Sequence, residues 1–395
     1  MRITNGRRVE FRECYDPALE KHRCLAVAAV AVVIAFGFQA VTVRYNYGGN
    51  WSALFCVGSR LPQPPDLPQP YQFRDSFGYD GQFYRLIAHD PWTTRGYSRY
   101  IDNPRYRYSR ILAPGLAYLL GAGNDRWIDA AYLIVNLLFL FLGTYWAATI
   151  AQRWSWSPWI GLLFLAIPAT IVSIDRLTID LAMAALCVGY IALRRFSVGR
   201  FLLLAAGPLC REIGFLLIAA ACIDRLRTRD YRNAVLVALT AAPALLWGIF
   251  EILHTSSQPT HYLSAIPLAG FVDRILHPYP YRFSLTLNGI AQTLDYVALA
   301  AIPVALWCLW RLRRVALERP ELLLCAVPVI FVNNPDVWAE VYAFGRTMSA
   351  FWVFLALYGA ERRCWYALLP IPLLDLRIGL QLGGQLVGIA KGLAM

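Results

Sequence analysis

Apolar residues in this chain gather into runs long enough to be membrane-crossing helices. A helix needs about 20 apolar residues to cross a hydrocarbon core about 30 Å thick. Apolar runs of about that length recur at 24–43, 127–150, 156–173, 177–193, 232–253, 289–310 and 339–360. The strict apolar and polar alternation of membrane-barrel strands is missing. The pattern predicts an all-α, polytopic transmembrane protein. Two segments interrupt the rhythm. Residues 201–224 have the length of one span, yet Arg211 and Glu212 stand at the centre, with Arg194, Arg195 and Arg200 on one flank and Arg225, Arg227, Arg229 and Arg232 on the other. Two short helices meeting at Arg211 and Glu212 keep both flanks on one side and both central charges out of lipid, so a hairpin is favoured over a single span. Residues 321–332 read as a span rising to the polar turn Asn333, Asn334 and Asp336. The total comes to about eleven spans.

The polar stretches give the threading. Residues 1–23 carry Arg2, Arg7, Arg8, Arg12, Lys21 and Arg23, so the positive-inside rule makes them a cytoplasmic tail and 24–43 an uncleaved first transmembrane helix. Residues 44–126 become an outer loop. Its LPQPPDLPQP segment cannot continue a helix because proline lacks the backbone donor, and the apolar stretch Ile111 to Leu120 is short enough to lie in the interface. Residues 127–395 form a transmembrane helical module. Asp80, Asp175, Asp180, Arg211, Glu212, Asp336, Glu340 and Arg346 then fall at or near the outer face, while the arginine clusters at 194/195, 225–232, 311/313/314 and 362/363 fall inside.

Composition sharpens this reading. Of 395 residues 58% are hydrophobic and 16% charged, with a mean hydropathy of +0.45, which excludes a soluble or disordered chain. The net charge of +12 comes from clusters between apolar runs, which points to topology and to no nucleic-acid partner. The nine cysteines are scattered, most within apolar stretches, and imply no disulfide framework. His89, His254, His261 and His277 show no ligand spacing, and neither a P-loop nor a dinucleotide fingerprint is present.

Candidate chemistry concentrates in GYDGQFYRLIAHDP, residues 78–91. Phe83, Leu86 and Ile87 give an apolar stripe at helical spacing, so a short amphipathic helix is expected there with Asp80 in its first turn. The helix dipole favours an ionised carboxylate at that end. Tyr84, four residues on, shares its face. Asp80 reads either as a catalytic base taking a proton from a hydroxyl or as a helix cap. Arg107 and Arg110 suit a sugar phosphate or anionic lipid headgroups, and Tyr342 and Arg346, four apart, either line the same cavity or anchor a span at the interface.

In order along the chain, GYDGQFYRLIAHDP, YRYSRILAPGLAYLL, CREIGFLLIAA and YAFGRTMSAF resemble a group of bacterial membrane proteins similar to the C-type (GT-C) glycosyltransferases, over roughly residues 45 to 360. The resemblance implies a GT-C-like fold in a bacterial cytoplasmic membrane, with the site facing outside. It implies a polyprenyl-phosphate-linked sugar as donor, a glycan, lipid or protein as acceptor, and membrane lipids as surroundings. On that resemblance Asp80 is the base or metal-proximal carboxylate and Asp175 or Asp180 the second acidic position. The resemblance also puts Arg211 on the lipid phosphate; from the residues themselves, Glu212 stands next to it to orient the guanidinium, and Arg282 and Arg346 are next in line as phosphate-binding groups. No DxD pair stands in the first loop, although Asp80 with Asp175 or Asp180 offers hard oxygens to Mg²⁺ or Mn²⁺. The rival classes are a lipid or glycolipid flippase and an inactive lipid-binding relative. Flippases and other transporters often carry paired broken helices, and the sequence offers one broken hairpin without a matching second.

Overall fold

The computed structural model describes residues 17–194, 197–258, 263–281 and 284–394. Arg282 lies outside the described residues. The architecture is all-α. Among the described residues strand is confined to one two-residue parallel pair, Val57–Gly58 beside Gln72–Phe73.

The first helix, α1, runs from Pro17–Asn46. After it the chain makes a 3-10 turn at Trp51–Phe55 and the small strand pair. It then enters α2 (Gly81–His89), α3 (Pro104–Tyr108) and α4 (Leu112–Leu120). Gly78, at φ +75, makes the entry into α2 possible, because a Cβ there would press on the Cys56 carbonyl oxygen and the Gly58 nitrogen. The long α5 (Asp125–Arg153) follows and packs against α1 and α4. Next come a 3-10 segment at Pro158–Ala166, α6 (Pro168–Arg176), α7 (Asp180–Ala192), α8 (Val198–Cys210) and α9 (Gly214–Arg227).

Every residue of α7 is buried. A helix that is apolar all round belongs inside a bundle, and α7 is the central post, touching α5, α6, α8 and α19 (Ser349–Glu361). The C-terminal half comprises α10 (Tyr231–Ala238), α11 (Ala242–His254), α12 (Ala269–Leu276), α13 (Leu285–Leu299), α14 (Ala301–Arg311), α15 (Arg313–Glu318), α16 (Pro320–Phe331), α17 (Pro335–Ala339), α18 (Val341–Thr347), α19 (Ser349–Glu361) and α20 (Pro370–Ala394).

Along α11 the outward residues Leu246, Ile252 and Leu253 are 67%, 61% and 73% exposed. A row of bare aliphatic side chains of this kind faces lipid rather than water.

The span count is lower than the apolar runs suggest. Among the described residues four helical stretches are long and apolar enough to cross: Lys21–Asn46, Asp125–Arg153, Tyr231–His254 and Leu285–Arg311. Two bent pairs raise the number to six, Pro158–Ala166 with Pro168–Arg176 at 63° and Val341–Thr347 with Ser349–Glu361 at 57°. Four to six therefore replaces about eleven. The runs at 177–193, 201–224 and 321–332 form α7, α8, α9 and α16, of 12 to 14 residues, each only about 20 Å long. Proline is one cause of the breaks. Ile167, pushed out of the helical region by the following Pro168, takes φ −71 and ψ 130.

The expected hairpin over 201–224 is present as α8 and α9, broken at Arg211, which adopts extended angles of −163 and 153. The two helices close on each other at Gly207 and Gly214. A Cβ on Gly214 would collide with the backbone of Gly207 and Pro208.

Candidate functional site

Four arginines converge on one cavity of about 600 Å³, bordered by the α2 and α3 segments, the α8–α9 break, α17 and α18. Each is anchored differently. Arg107, at the end of α3, places Nη1 3.0 Å from the Asp80 carboxylate and forks Asp102 through Nε and Nη2 at 3.0 and 2.7 Å. Arg110 forks Glu212 with two bonds of 3.1 Å and donates to the Tyr84 hydroxyl at 3.1 Å. Arg211 pairs with Asp180 and reaches Thr347 Oγ1 at 3.3 Å. Arg346 donates to Asp80 and, at 2.6 Å, to Asp180.

Local folding explains these positions. Asp80 stands at the N-cap of α2 but makes no capping bond, so its carboxylate is free to turn into the cavity. Asp180 is the first residue of α7, where the helix dipole favours its charge. The turn before it is held by a Ser173 to Thr178 hydroxyl bond of 2.7 Å and by Leu181 N–H donating to Ser173 at 3.0 Å. Arg346 lies in the last turn of α18, just before the bend into α19, where Ser349 and Trp352 donate to the Gly345 carbonyl at 3.0 Å each.

Burial alone would raise the Asp80 carboxyl above its ordinary range. Arg107 and Arg346 more than offset it and hold the group well below that range. Asp80 is therefore ionised and engaged. The web of Asp80, Asp102, Asp180 and Glu212 with the four arginines is balanced in charge, and bidentate guanidinium pairing gives it a fixed geometry.

Three atoms of cavity-lining residues are left over: Arg346 Nε, the Tyr79 hydroxyl and Asn103 Oδ1 are buried without a hydrogen-bond partner among the described residues. Such atoms are costly unless something fills the space beside them. Asp336 and Glu340, on and beside α17, add two carboxylates to the cavity wall.

Several expected roles change. Glu212 holds Arg110 and not Arg211, whose carboxylate partner is Asp180. Tyr84 accepts a hydrogen bond from Arg110, so its hydroxyl oxygen is engaged by a guanidinium. Asp175 joins a neighbouring cluster, accepting from Arg176 at 2.8 Å, Tyr342 at 3.2 Å and Gln385 at 2.6 Å. Of the two alternatives for the second acid, Asp180 is the one brought into contact with Arg211 and Arg346. Tyr342 goes with Asp175 while Arg346, four residues on, enters the cavity. The main residues missed by sequence reasoning are Arg107 as the partner of Asp80, and Tyr79. The three-residue spacing of Arg107 and Arg110 after a short helix is the one local sign that both could face one side.

The Asp80 and Asp180 pair does not fit a divalent cation. The oxygens of both carboxylates are taken by guanidinium groups, with Arg346 sitting between them where a metal would have to lie. Among the described residues no group of three or more His, Cys, Asp or Glu could hold a metal ion.

No protein-family model, no curated protein and no solved structure matches the chain.

Proposed function

We propose that the protein is a membrane glycosyltransferase that takes a sugar from a polyprenyl-phosphate donor, and that the donor phosphate binds the four-arginine cavity. The observation that carries this reading is the convergence of Arg107, Arg110, Arg211 and Arg346 on one cavity beside unsatisfied polar atoms. Arginine forks match phosphate oxygens as well as carboxylates. A phosphate therefore competes with Asp80 and Asp180 for Arg346 and Arg211.

That exchange supplies a mechanism. When the donor phosphate takes Arg346 and Arg107, Asp80 loses the cations that depress its carboxyl while remaining sheltered from water, so its proton affinity rises. The freed carboxylate accepts the proton of an acceptor hydroxyl. The acceptor oxygen bonds to the anomeric carbon, the bond from that carbon to the phosphate oxygen breaks, and the electron pair leaves with the polyprenyl phosphate. The arginines stabilise the leaving charge. A single displacement inverts the anomeric configuration. The base is strong only after the donor is bound, which protects the site from idle chemistry.

The site faces the outer side of a bacterial cytoplasmic membrane in this reading, since the arginine clusters at the other helix ends then lie inside. The test is reconstitution in liposomes with a polyprenyl-phosphate sugar. Donor consumed with glycoside formed supports the enzyme. Intact donor moved between leaflets supports a flippase instead.

A further inference from the structure

A second polar cavity lies at the opposite end of α7, α8 and α9. It has a volume of about 120 Å³ and lies between the C-terminal ends of α7 and α9, the N-terminal ends of α8 and α16, and α19. The helix α7 separates it from the four-arginine cavity by its 13 residues, about 20 Å.

Its lining carries both signs of charge. Arg194, Arg200, Arg225 and Arg319 face Asp224 and Glu321. Two of the arginines have carboxylate partners outside the cavity, Arg194 with Glu361 at 3.5 Å and Arg225 with Asp230 at 3.6 Å. Arg200 spends Nη1 on the Tyr190 and Leu193 carbonyls, at 3.3 and 3.0 Å. Arg319 lies over the Tyr358 ring, 5.6 Å from its centroid.

On the acidic side Glu321 is 3% exposed. One oxygen accepts from the Tyr358 hydroxyl, while Oε2 is buried with no partner among the described residues. The Tyr190 hydroxyl is orphaned in the same way. A buried carboxylate oxygen without a donor is costly, so a donor belongs in that space. Arg200 and Arg319 have no carboxylate within ion-pair distance among the described residues, which leaves them able to take an anion. One small ligand meets both needs if it carries a phosphate and an ammonium a few bonds apart.

We infer that this cavity binds the headgroup of an amine-bearing phospholipid, the phosphate on Arg200 and Arg319 and the ammonium on Glu321 and Asp224. Position agrees with this occupant. The cavity lies at the helix ends where the basic clusters gather, the level at which interhelical basic pockets meet lipid headgroups. The inference is independent of the glycosyltransferase reading. It needs only that this end of the helical bundle lies at the headgroup level of a membrane.

The experiment places the full-length protein in phosphatidylcholine nanodiscs doped in turn with phosphatidylethanolamine or phosphatidylglycerol, and reads co-purifying lipid by mass spectrometry. Free phosphoethanolamine in a thermal-shift assay is the soluble arm. Phosphatidylethanolamine should be retained about tenfold over phosphatidylcholine, the factor expected for a charge-assisted hydrogen bond. Arg319→Gln should weaken both doped lipids alike. Glu321→Gln should erase the preference for ethanolamine over choline and leave phosphatidylglycerol binding in place. Because Glu321 is buried, Asp224→Asn at a half-buried position serves as the second variant and should reduce the same preference. Stabilisation by free phosphoethanolamine would show that the headgroup suffices, and its lack beside lipid retention would show that the acyl chains are needed. Equal retention of ethanolamine and choline lipids, or a preference untouched by both acidic variants, overturns the inference.

Discussion

The Asp80 carboxylate accepts a hydrogen bond from the Arg346 guanidinium across 266 residues of chain. Arg346 also holds Asp180, so one side chain ties the start of α2 to the start of α7. The contact joins the polar segment 44–126 to the helical core at the place where the arginines converge. It makes Asp80 a structural partner as well as a candidate base.

Replacing Asp80 with asparagine should therefore do two things. Turnover should fall at least about 100-fold, the contribution expected of a general base. Stability should also fall, by about 3 kcal/mol, because Arg107 and Arg346 lose an ionised partner in a sheltered site. Steady-state turnover and a denaturation curve in the same detergent check both effects. A variant with normal turnover and a lowered melting point would leave Asp80 a structural role alone.

The acid side of the stability profile carries the same signature. A carboxyl depressed in the folded state stabilises the protein fully above its unfolded value, about 3.9 for Asp, and loses that contribution as pH falls toward the folded value. Wild-type protein should lose melting temperature steadily as pH drops below about 4. Arg346→Gln removes one of the two cations and should flatten this dependence. Melting curves across the acid range compare the two, and identical slopes would contradict the ion-pair account.

Much of this arrangement is legible in the sequence, and the rest fails for physical reasons. Apolar runs give α1 and α5 directly because those helices are unbroken. The charge pattern around Arg211 gives the α8–α9 hairpin because buried charge in lipid is costly wherever it stands. Hydropathy overcounts the spans because it records composition and not continuity, and α7 is apolar through enclosure by other helices rather than by lipid. The pairing of Arg110 with Glu212 and of Arg211 with Asp180 joins residues 102 and 31 positions apart. No local signal separates those pairings from the adjacent Arg211 and Glu212 pairing, because all the groups carry suitable charge and only the packing of the hairpin decides.

That packing is itself open to test. Gly214→Ala inserts a methyl into the backbone of Gly207 and Pro208, and overpacking of this kind costs about 1–3 kcal/mol. The hairpin should open and carry Arg211 off Asp180, so both the melting temperature and donor binding should drop. Gly248→Ala, inside α11 where nothing lies within 4 Å of the added carbon, is the control and should hold or slightly raise the melting temperature while leaving donor binding unchanged.

Arginine geometry separates a phosphate site from simple charge balance. Arg211→Lys and Arg346→Lys keep the charge but lose the fork, so both should weaken donor binding by about tenfold, with alanine weaker still. Acceptor KM should change less. Equal donor affinity in wild type and both lysine variants would place the phosphate elsewhere.

The most direct measurement is transfer by the purified protein in liposomes supplied with a radiolabelled polyprenyl-phosphate sugar and a mixture of candidate acceptors. The account predicts that the donor is consumed, that label appears in a glycoside, and that both signals vanish in Asp80→Asn and Arg346→Ala. Donor that remains chemically intact with wild-type protein, or glycoside formed equally well by both variants, would contradict it.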